Sequence, residues 1–232
     1  MPAQRSTNST YRSGDTRERL LRAGLEVFGV HGYEGVSTRQ LANRAGVNLA
    51  AIPYHFGGKQ GLYLAVAGDI AEHIGKRLAG RAGTIQQELA AGEHLTQKQL
   101  LDHLRTLLQG LAGILLGSPD AHLWAGVILR EQLYPSAAFD ILYRDVIGPV
   151  HHALSLIISR LLGRPDGDPD CTLRAHAVLG EVIIFRAARA AVLRRMDWDD
   201  YSPERVQHIT RLLIDQTCDM LLAQRRRERS ST

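Results

Sequence analysis

Val36-Ser-Thr-Arg-Gln-Leu-Ala-Asn-Arg-Ala-Gly-Val-Asn-Leu-Ala-Ala-Ile-Pro-Tyr-His-Phe-Gly-Gly-Lys-Gln-Gly61 decides how this chain is read. It holds two short helical patterns on either side of a single glycine. Ser37 or Thr38 can cap the first, because a hydroxyl accepts from the free N–H groups of an opening helical turn. Leu41, Ala42 and Ala45 then fall on one face. Gly46 stands where a tight turn between helices needs a positive φ, the conformation that glycine tolerates best. Asn48 can cap the second helix, with Leu49 and Ile52 directed inward. Ala42 is small where the two helices meet. This is the layout of a helix-turn-helix, which seats its second helix in the major groove of DNA.

Working outward, Asp15 and Thr16 can cap a preceding helix carrying Leu20, Leu21, Leu25 and Phe28, which ends near Gly29–Gly32. Tyr33 and Val36 are expected to pack at the junction. Three helices over 15–60 would let the motif bury a core of its own. Lys59 opens a fourth helix with Leu62, Val66, Ile70 and Ile74 in a stripe out to about residue 80, and residues 80–94 read as a connector. Leucines from Leu100 to Leu115 recur at helical spacing, and Ser118-Pro119-Asp120 starts a further helix. Pro135-Ser136 begins another, which Gly148-Pro149 should kink. A turn-rich loop over 163–170 precedes a helix whose face carries Leu173, Ala177, Gly180, Ile184, Ala188 and Ala191. Ser202 caps a last helix with Val206, Ile209, Leu213, Thr217 and Met220 on one side. The expected fold is all-α, a three-helix DNA-binding domain fused to a helical ligand-binding and dimerisation domain. The expected boundaries are a disordered arm at 1–14, the headpiece at 15–60, the effector-binding and dimerisation body at 61–224 and a basic tail at 225–232.

Composition narrows the class. A hydrophobic fraction of 44% supports a sizeable core over 232 residues. Two cysteines, Cys171 and Cys218, provide neither a disulfide framework nor metal-ligand spacing, so a reduced, cytoplasmic setting is expected. The first fifteen residues lack the apolar segment of a signal peptide, and no apolar run is long enough for a membrane span. Charge is unevenly spread: +4 over residues 1–60, −3 over 61–220 and +3 over 221–232. Basic excess at the motif end fits a nucleic-acid headpiece, while at the tail it serves solubility equally well.

Residues 16–75 resemble the N-terminal domain of the TetR family of transcriptional repressors. The resemblance rests on Arg19-Leu-Leu-Arg-Ala-Gly-Leu-Glu-Val-Phe28, Gly32-Tyr33, Ser37-Thr-Arg-Gln-Leu-Ala42, Ala45-Gly-Val47, Ile52-Pro-Tyr-His-Phe56, Lys59 and Leu62-Tyr63. Leu129-Arg-Glu-Gln-Leu-Tyr-Pro-Ser-Ala-Ala-Phe-Asp-Ile-Leu-Tyr143 with Ile147-Gly-Pro149 is similar to the effector domain of the CecR-like subgroup. One departure stands out. The family commonly carries two adjacent aromatics before the His-Phe pair, and here the first is Pro53. That residue has no N–H for the carbonyl of Leu49, so the second helix is either very short, with Pro53 in its first turn, or distorted.

The resemblance implies that Thr38 and Arg39 reach phosphates and that Asn48, Leu49, Ala50 and Ala51 come within range of base edges. Alanines there read shape or a thymine methyl only. It also implies phosphate contacts from Tyr54, His55 and Lys59. The plain alternative is that Tyr54, His55 and Phe56 anchor the motif, and for Phe56 this is the preferred reading. Trp124, Arg130, Glu131, Phe139 and Tyr143 are candidates for a pocket that takes an amphipathic or drug-like effector. A structural Arg130–Glu131 contact, or one holding the kink at Pro149, explains them about as well.

No metal or other cofactor is expected. His151, His152 and His176 lack carboxylate or thiol companions at helical spacing, and Asp166, Asp168 and Asp170 lack the bidentate glutamate of a calcium loop. These observations point to a ligand-responsive regulator, most simply a repressor, that binds a palindromic operator as a homodimer through the faces 173–191 and 206–220 and is released by a small molecule. The alternatives are an architectural DNA-binding protein without effector and, more remotely, a helical enzyme. No H-E-x-x-H, G-x-S-x-G or Cys–His arrangement supports the last.

Overall fold

The computed structural model describes residues 7–90 and 95–230, with side chains from Asp15 onward except 79–87 and 89–90. The described residues contain helices and no strand. Helices α1 (Thr7–His31), α2 (Thr38–Ala45), α3 (Ala51–Phe56) and α4 (Lys59–Ala90) are followed by α5 (Gln97–Gly117), α6 (Ala121–Leu133) and α7 (Ala137–Leu142). A π-helical segment, Tyr143–Ile147, leads into α8 (Gly148–Leu162). Then come α9 (Pro169–Ala187), α10 (Arg189–Met196) and α11 (Pro203–Ser230).

The chain forms two compact units, Met1–Glu72 with His122–Leu142, and His73–Ala121 with Tyr143–Thr232. This partition differs from a headpiece ending at 60, because α6, α7 and the start of α4 fold with α1–α3. The reason lies in two glycines. Where α1 and α6 cross, a Cβ on Gly126 would lie 2.0 Å from the Gly29 carbonyl oxygen, so the backbones meet directly. Leu20, Phe28, Leu41, Ile52 and Leu62 are fully buried in this unit.

In the second unit α5, α8, α9 and α11 pack on one another. Leu104, Leu107, Leu154, Ile157, Val178 and Leu213 fill the space between them. Thr96 and Gln99 form a reciprocal capping box on α5, satisfying two otherwise orphaned N–H groups. Asp168 caps α9 by accepting from the Cys171 N–H at 2.9 Å. Cys171 and Cys218 are free and buried.

Several expectations change. Helix α1 begins at Thr7, inside the stretch read as an arm, so Asp15 and Thr16 are interior positions; residues 1–6 lie outside the described residues. The connector expected over 80–94 is helical through Ala90, and 91–94 lie outside the described residues. Once a helix is nucleated, continuing it through poor helix formers is easier than starting one. The basic tail expected at 225–232 continues α11 as far as Ser230, and 231–232 lie outside the described residues. Near Gly148-Pro149 the helix widens into a π turn rather than stopping, because Pro149 offers no N–H to the carbonyl four residues back. The helix expected through Ala191 breaks at Ala188, where φ is −100° and ψ 26°.

The largest correction concerns α11. Val206, Ile209, Leu213 and Thr217, offered as a face for a second chain, are buried within this chain, where α11 lies against α5 and α8. The apolar side chains that α11 leaves exposed are Leu212 and Met220. By contrast Leu173, Ala177, Gly180 and Ile184 of α9 are exposed.

Candidate nucleic-acid interface

Ser37 caps α2 in a capping box: its hydroxyl accepts from the Gln40 N–H while the Gln40 side chain accepts from the Ser37 N–H at 2.8 Å. Helix α2 ends at Gly46 with φ 62° and ψ 40°, and the Val47 N–H returns to the Ala42 carbonyl at 3.0 Å. Leu41, Ala42 and Ala45 of α2 and Ile52 of α3 turn inward and are buried.

The opening of α3 answers the question raised by Pro53. Asn48 accepts from the Ala50 N–H at 2.9 Å, capping a tight turn in which Ala51 N–H donates to the Asn48 carbonyl at 2.9 Å. The Leu49 carbonyl, which an ordinary residue 53 would serve, accepts from Ile52 instead at 3.3 Å. Pro53 thus sits in the first turn of a six-residue helix, where a missing N–H is harmless. Its own carbonyl accepts from Gly57 at 2.9 Å. Leu49 was expected to point inward with Ile52, but it is 47% exposed, since this tight opening turn rotates it outward.

Arg39, Asn48, Leu49, Ala50 and Tyr54 are exposed, and Thr38, Ala51, His55 and Lys59 are half-buried. Tyr54 is 81% exposed, which does not suit a core anchor. The His55 ring meets Tyr54 edge-on at 4.9 Å between centroids, and Phe56 has the Arg17 guanidinium 5.4 Å from its centroid. The Lys59 ammonium lies 4.1 Å from the centroid of Tyr33, a cation–π contact that holds the tip of its side chain against the ring.

Three further cations, Arg19, Arg22 and Arg44, are engaged in holding the motif together. Arg19 donates to the carbonyls of Ala45 and Gly46 at 2.6 and 2.7 Å, closing the C-terminus of α2 where the helix dipole favours a cation. Arg22 and Arg44 share Glu26 at 3.0 and 2.6 Å. Burial pushes the Glu26 carboxyl up, but the two guanidinium hydrogen bonds outweigh it and hold the group below the usual carboxylate range. Arg39 forms no hydrogen bond or ion pair among the described residues.

Two of the five pocket candidates border one cavity. Arg130 and Glu131 border a cavity of about 400 Å³ in the first unit, whose walls include Tyr33, Tyr63 and Tyr134. Trp124 is buried, and neither it nor Phe139 or Tyr143 borders that cavity. Glu131 does not pair with Arg130 among the described residues. It is buried and accepts from the Tyr63 hydroxyl at 2.7 Å and from the Ser136 N–H and hydroxyl, each at 2.9 Å. Burial, and then donation to Glu131, push the Tyr63 phenol far above its ordinary pKa, so it remains a donor. Tyr63 and Ser136 escaped the sequence reading as site residues; Tyr63 lies 68 positions from its partner and no local pattern joins them.

The described residues hold no cluster of three or more His, Cys, Asp or Glu side chains suited to a metal ion. His151 and His176 do approach, with ring centroids 5.6 Å apart. Asp166 pairs with Arg160, and Asp168 and Asp170 pair with Arg164, so the acidic loop is a set of ion pairs. No single helix among the described residues is long and apolar enough to cross a membrane.

A capped helix, a left-handed glycine turn and a short second helix with exposed Asn48, Leu49, Ala50 and Tyr54 define a helix-turn-helix DNA-binding regulator. Residues 20–66 match the family described as bacterial regulatory proteins, tetR family, and residues 100–224 match the C-terminal domain of the HTH-type transcriptional dual regulator CecR. The chain belongs to the TetR family, in its CecR-type branch, and is a transcription regulator rather than an enzyme.

Among its relatives, the dual regulator CecR of Shigella flexneri is 32% identical over 90% of each chain. The transcriptional repressor AcnR of Corynebacterium glutamicum is 36% identical over 63% of this chain and 65% of its own. A transcriptional regulator from Pseudomonas aeruginosa PAO1 shares the fold with a TM-score of 0.62 at 17% identity, covering 91% of this chain and 92% of that one. HlyIIR, a hemolysin II regulator, shares it with a TM-score of 0.56 at 20% identity, covering 87% of this chain and 98% of that one.

Proposed function

We propose that this regulator represses transcription as a homodimer on a palindromic operator and leaves it when a small molecule binds. The observation that carries the reading is the division of labour among the headpiece cations and polar groups. Arg19, Arg22 and Arg44 are spent on internal contacts, whereas Arg39, Asn48 and Tyr54 stand exposed around α3. Thr38, Arg39, Tyr54, His55 and Lys59 would meet phosphates, and Asn48 with Leu49, Ala50 and Ala51 would meet base edges. Relatives named repressors, such as AcnR, support the negative sign of control.

The dimer would form through the exposed stripe Leu173, Ala177, Gly180 and Ile184 of α9 and the outer side of α11 around Leu212 and Met220. Exposed apolar side chains at helical spacing support this pairing, and the small residues permit close approach. Two headpieces about 34–36 Å apart would occupy successive major grooves. An amphipathic or drug-like effector acts by binding one arrangement of the protein better than another. DNA is a cytoplasmic partner in a bacterium, which fits the expected location.

The test is gel retardation of the DNA upstream of the chain's own reading frame, paired with a reporter for the sign of control. Retardation that falls off steeply with salt, with reporter repression, is expected. Absence of retardation at low salt would sink the reading. A reporter that falls when the protein is deleted would reverse the sign.

A further inference from the structure

We propose that the cavity beside Arg130 is an effector site for an aromatic carboxylate, which the Arg130 guanidinium holds in a bidentate pair. This deepens the reading of the chain as an effector-responsive regulator and rests on it.

The cavity measures about 400 Å³, within the range of small-molecule sites. Its walls come from the end of α1 and the loop after it, the start of α4, the end of α6 and the start of α7, all within the first unit. The buried carboxylate on its wall, Glu131, has both oxygens engaged by Tyr63 and Ser136, so its charge is answered from within the protein. Arg130 forms no hydrogen bond or ion pair among the described residues, although its charge is felt at the Tyr63 phenol. Its guanidinium lies flat against the chain at Gly32, where a Cβ would stand 2.5–2.6 Å from Cζ, Nε and Nη1. Held there, the planar fork keeps its donors for a partner outside the protein, and a carboxylate matches that fork with two parallel hydrogen bonds. Glu34 shares the wall but is exposed and makes no pair with Arg130 among the described residues. Tyr33 and the 75% exposed Tyr134 supply ring surface, which favours an aromatic body on the acid.

The location also connects to DNA binding. The Tyr63 ring packs on Phe28 at 4.9 Å and on Tyr33 at 5.2 Å, and Tyr33 carries the Lys59 ammonium at 4.1 Å. An acid leaning on Tyr33 and Tyr63 therefore presses on the side chains that support Lys59, the residue proposed to reach phosphate just after α3.

The experiment is calorimetric titration of the full chain with three probes of one shape: 2-naphthoate, 2-naphthamide and 2-naphthylmethylammonium. Naphthoate is expected to bind at least about tenfold tighter than the amide, as a charged bidentate pair requires. Arg130→Gln is expected to abolish that preference and Arg130→Lys to keep part of it, while Arg164→Gln, outside the cavity, leaves it intact. Equal binding of acid and amide, preference for the ammonium, or an undiminished preference in Arg130→Gln overturns the site. Gel retardation separates the two claims. Naphthoate that binds through Arg130 without altering retardation upholds the site and refutes effector control by it. Retardation relieved equally in wild type and Arg130→Gln upholds effector control and refutes the site.

Discussion

Substituting Gly46 by alanine tests how the motif is held. At φ 62° and ψ 40° an alanine occupies the left-handed region, at a strain of about 1–2 kcal/mol. Its Cβ would also lie 2.8 Å from the Arg19 Nη2, the atom that donates to the carbonyls of Ala45 and Gly46. Moving that guanidinium gives up partly exposed charge-assisted bonds worth about 1 kcal/mol net. Together the substitution destabilises the α2–α3 unit by roughly 2–3 kcal/mol. Amide hydrogen exchange at Leu41, Ala42 and Ile52 should then quicken by roughly 30- to 150-fold if local opening governs it. The double variant with Arg19→Ala separates the two costs. With the guanidinium gone, Gly46→Ala should add only the backbone strain, a change of roughly 5- to 30-fold. If Gly46→Ala leaves exchange unchanged, or costs as much without Arg19 as with it, the account of this turn is wrong.

Other outcomes follow from the same geometry. Ile52→Ala, at a fully buried site, should destabilise the headpiece by about 2–4 kcal/mol, read from urea denaturation of the α3 region. Lys59→Gln should weaken binding across DNA sequences and lower the slope of log K against log salt by about one, whereas an unchanged slope removes Lys59 from the phosphate contacts. If the chain dimerises as proposed, Ile184→Asp should convert it to monomer in sedimentation at micromolar concentration, and a persisting dimer would discard the α9 face. Burial, and then the neighbouring His176, hold His151 below the ordinary histidine pKa, so the folded chain binds fewer protons than the unfolded one. Its contribution to stability is full above the unfolded pKa near 6.5 and is lost as pH falls through the depressed value. Melting temperature should therefore drop less between pH 7.5 and 5 in His151→Gln than in wild type.

The headpiece was legible because its signals are local. Ser37 and Gln40 stand three residues apart, Gly46 needs its φ whatever else surrounds it, and Leu62, Val66, Ile70 and Ile74 form a stripe within a single helix. The errors arise where the deciding neighbour is remote. Apolar spacing on α11 tells that Ile209 and Leu213 are covered, but not whether by α5 and α8 or by a second chain. Gly29 and Gly126 look like helix weaknesses until they face each other, and that crossing is what draws α6 to the headpiece. Glu131 was noticed for its charge, yet its role depends on Tyr63, far away in sequence. The break at Ala188 lies in a run of alanines and arginines that are all good helix formers, so composition conceals it.

The brevity of α3 sets a limit on information. Six residues rise only about 9 Å, and Pro53 takes one of the places from which a side chain could probe a base. A reader this small distinguishes on the order of three or four base pairs, a word that recurs by chance roughly every 64 to 256 positions. Two such words at one fixed separation recur only once in roughly 4,000 to 65,000. Whatever fixes the distance between two headpieces therefore does as much to select an address in the genome as the letters that α3 touches. In the proposed dimer, a ligand that alters that distance would leave each headpiece able to read its own word but not both words at once.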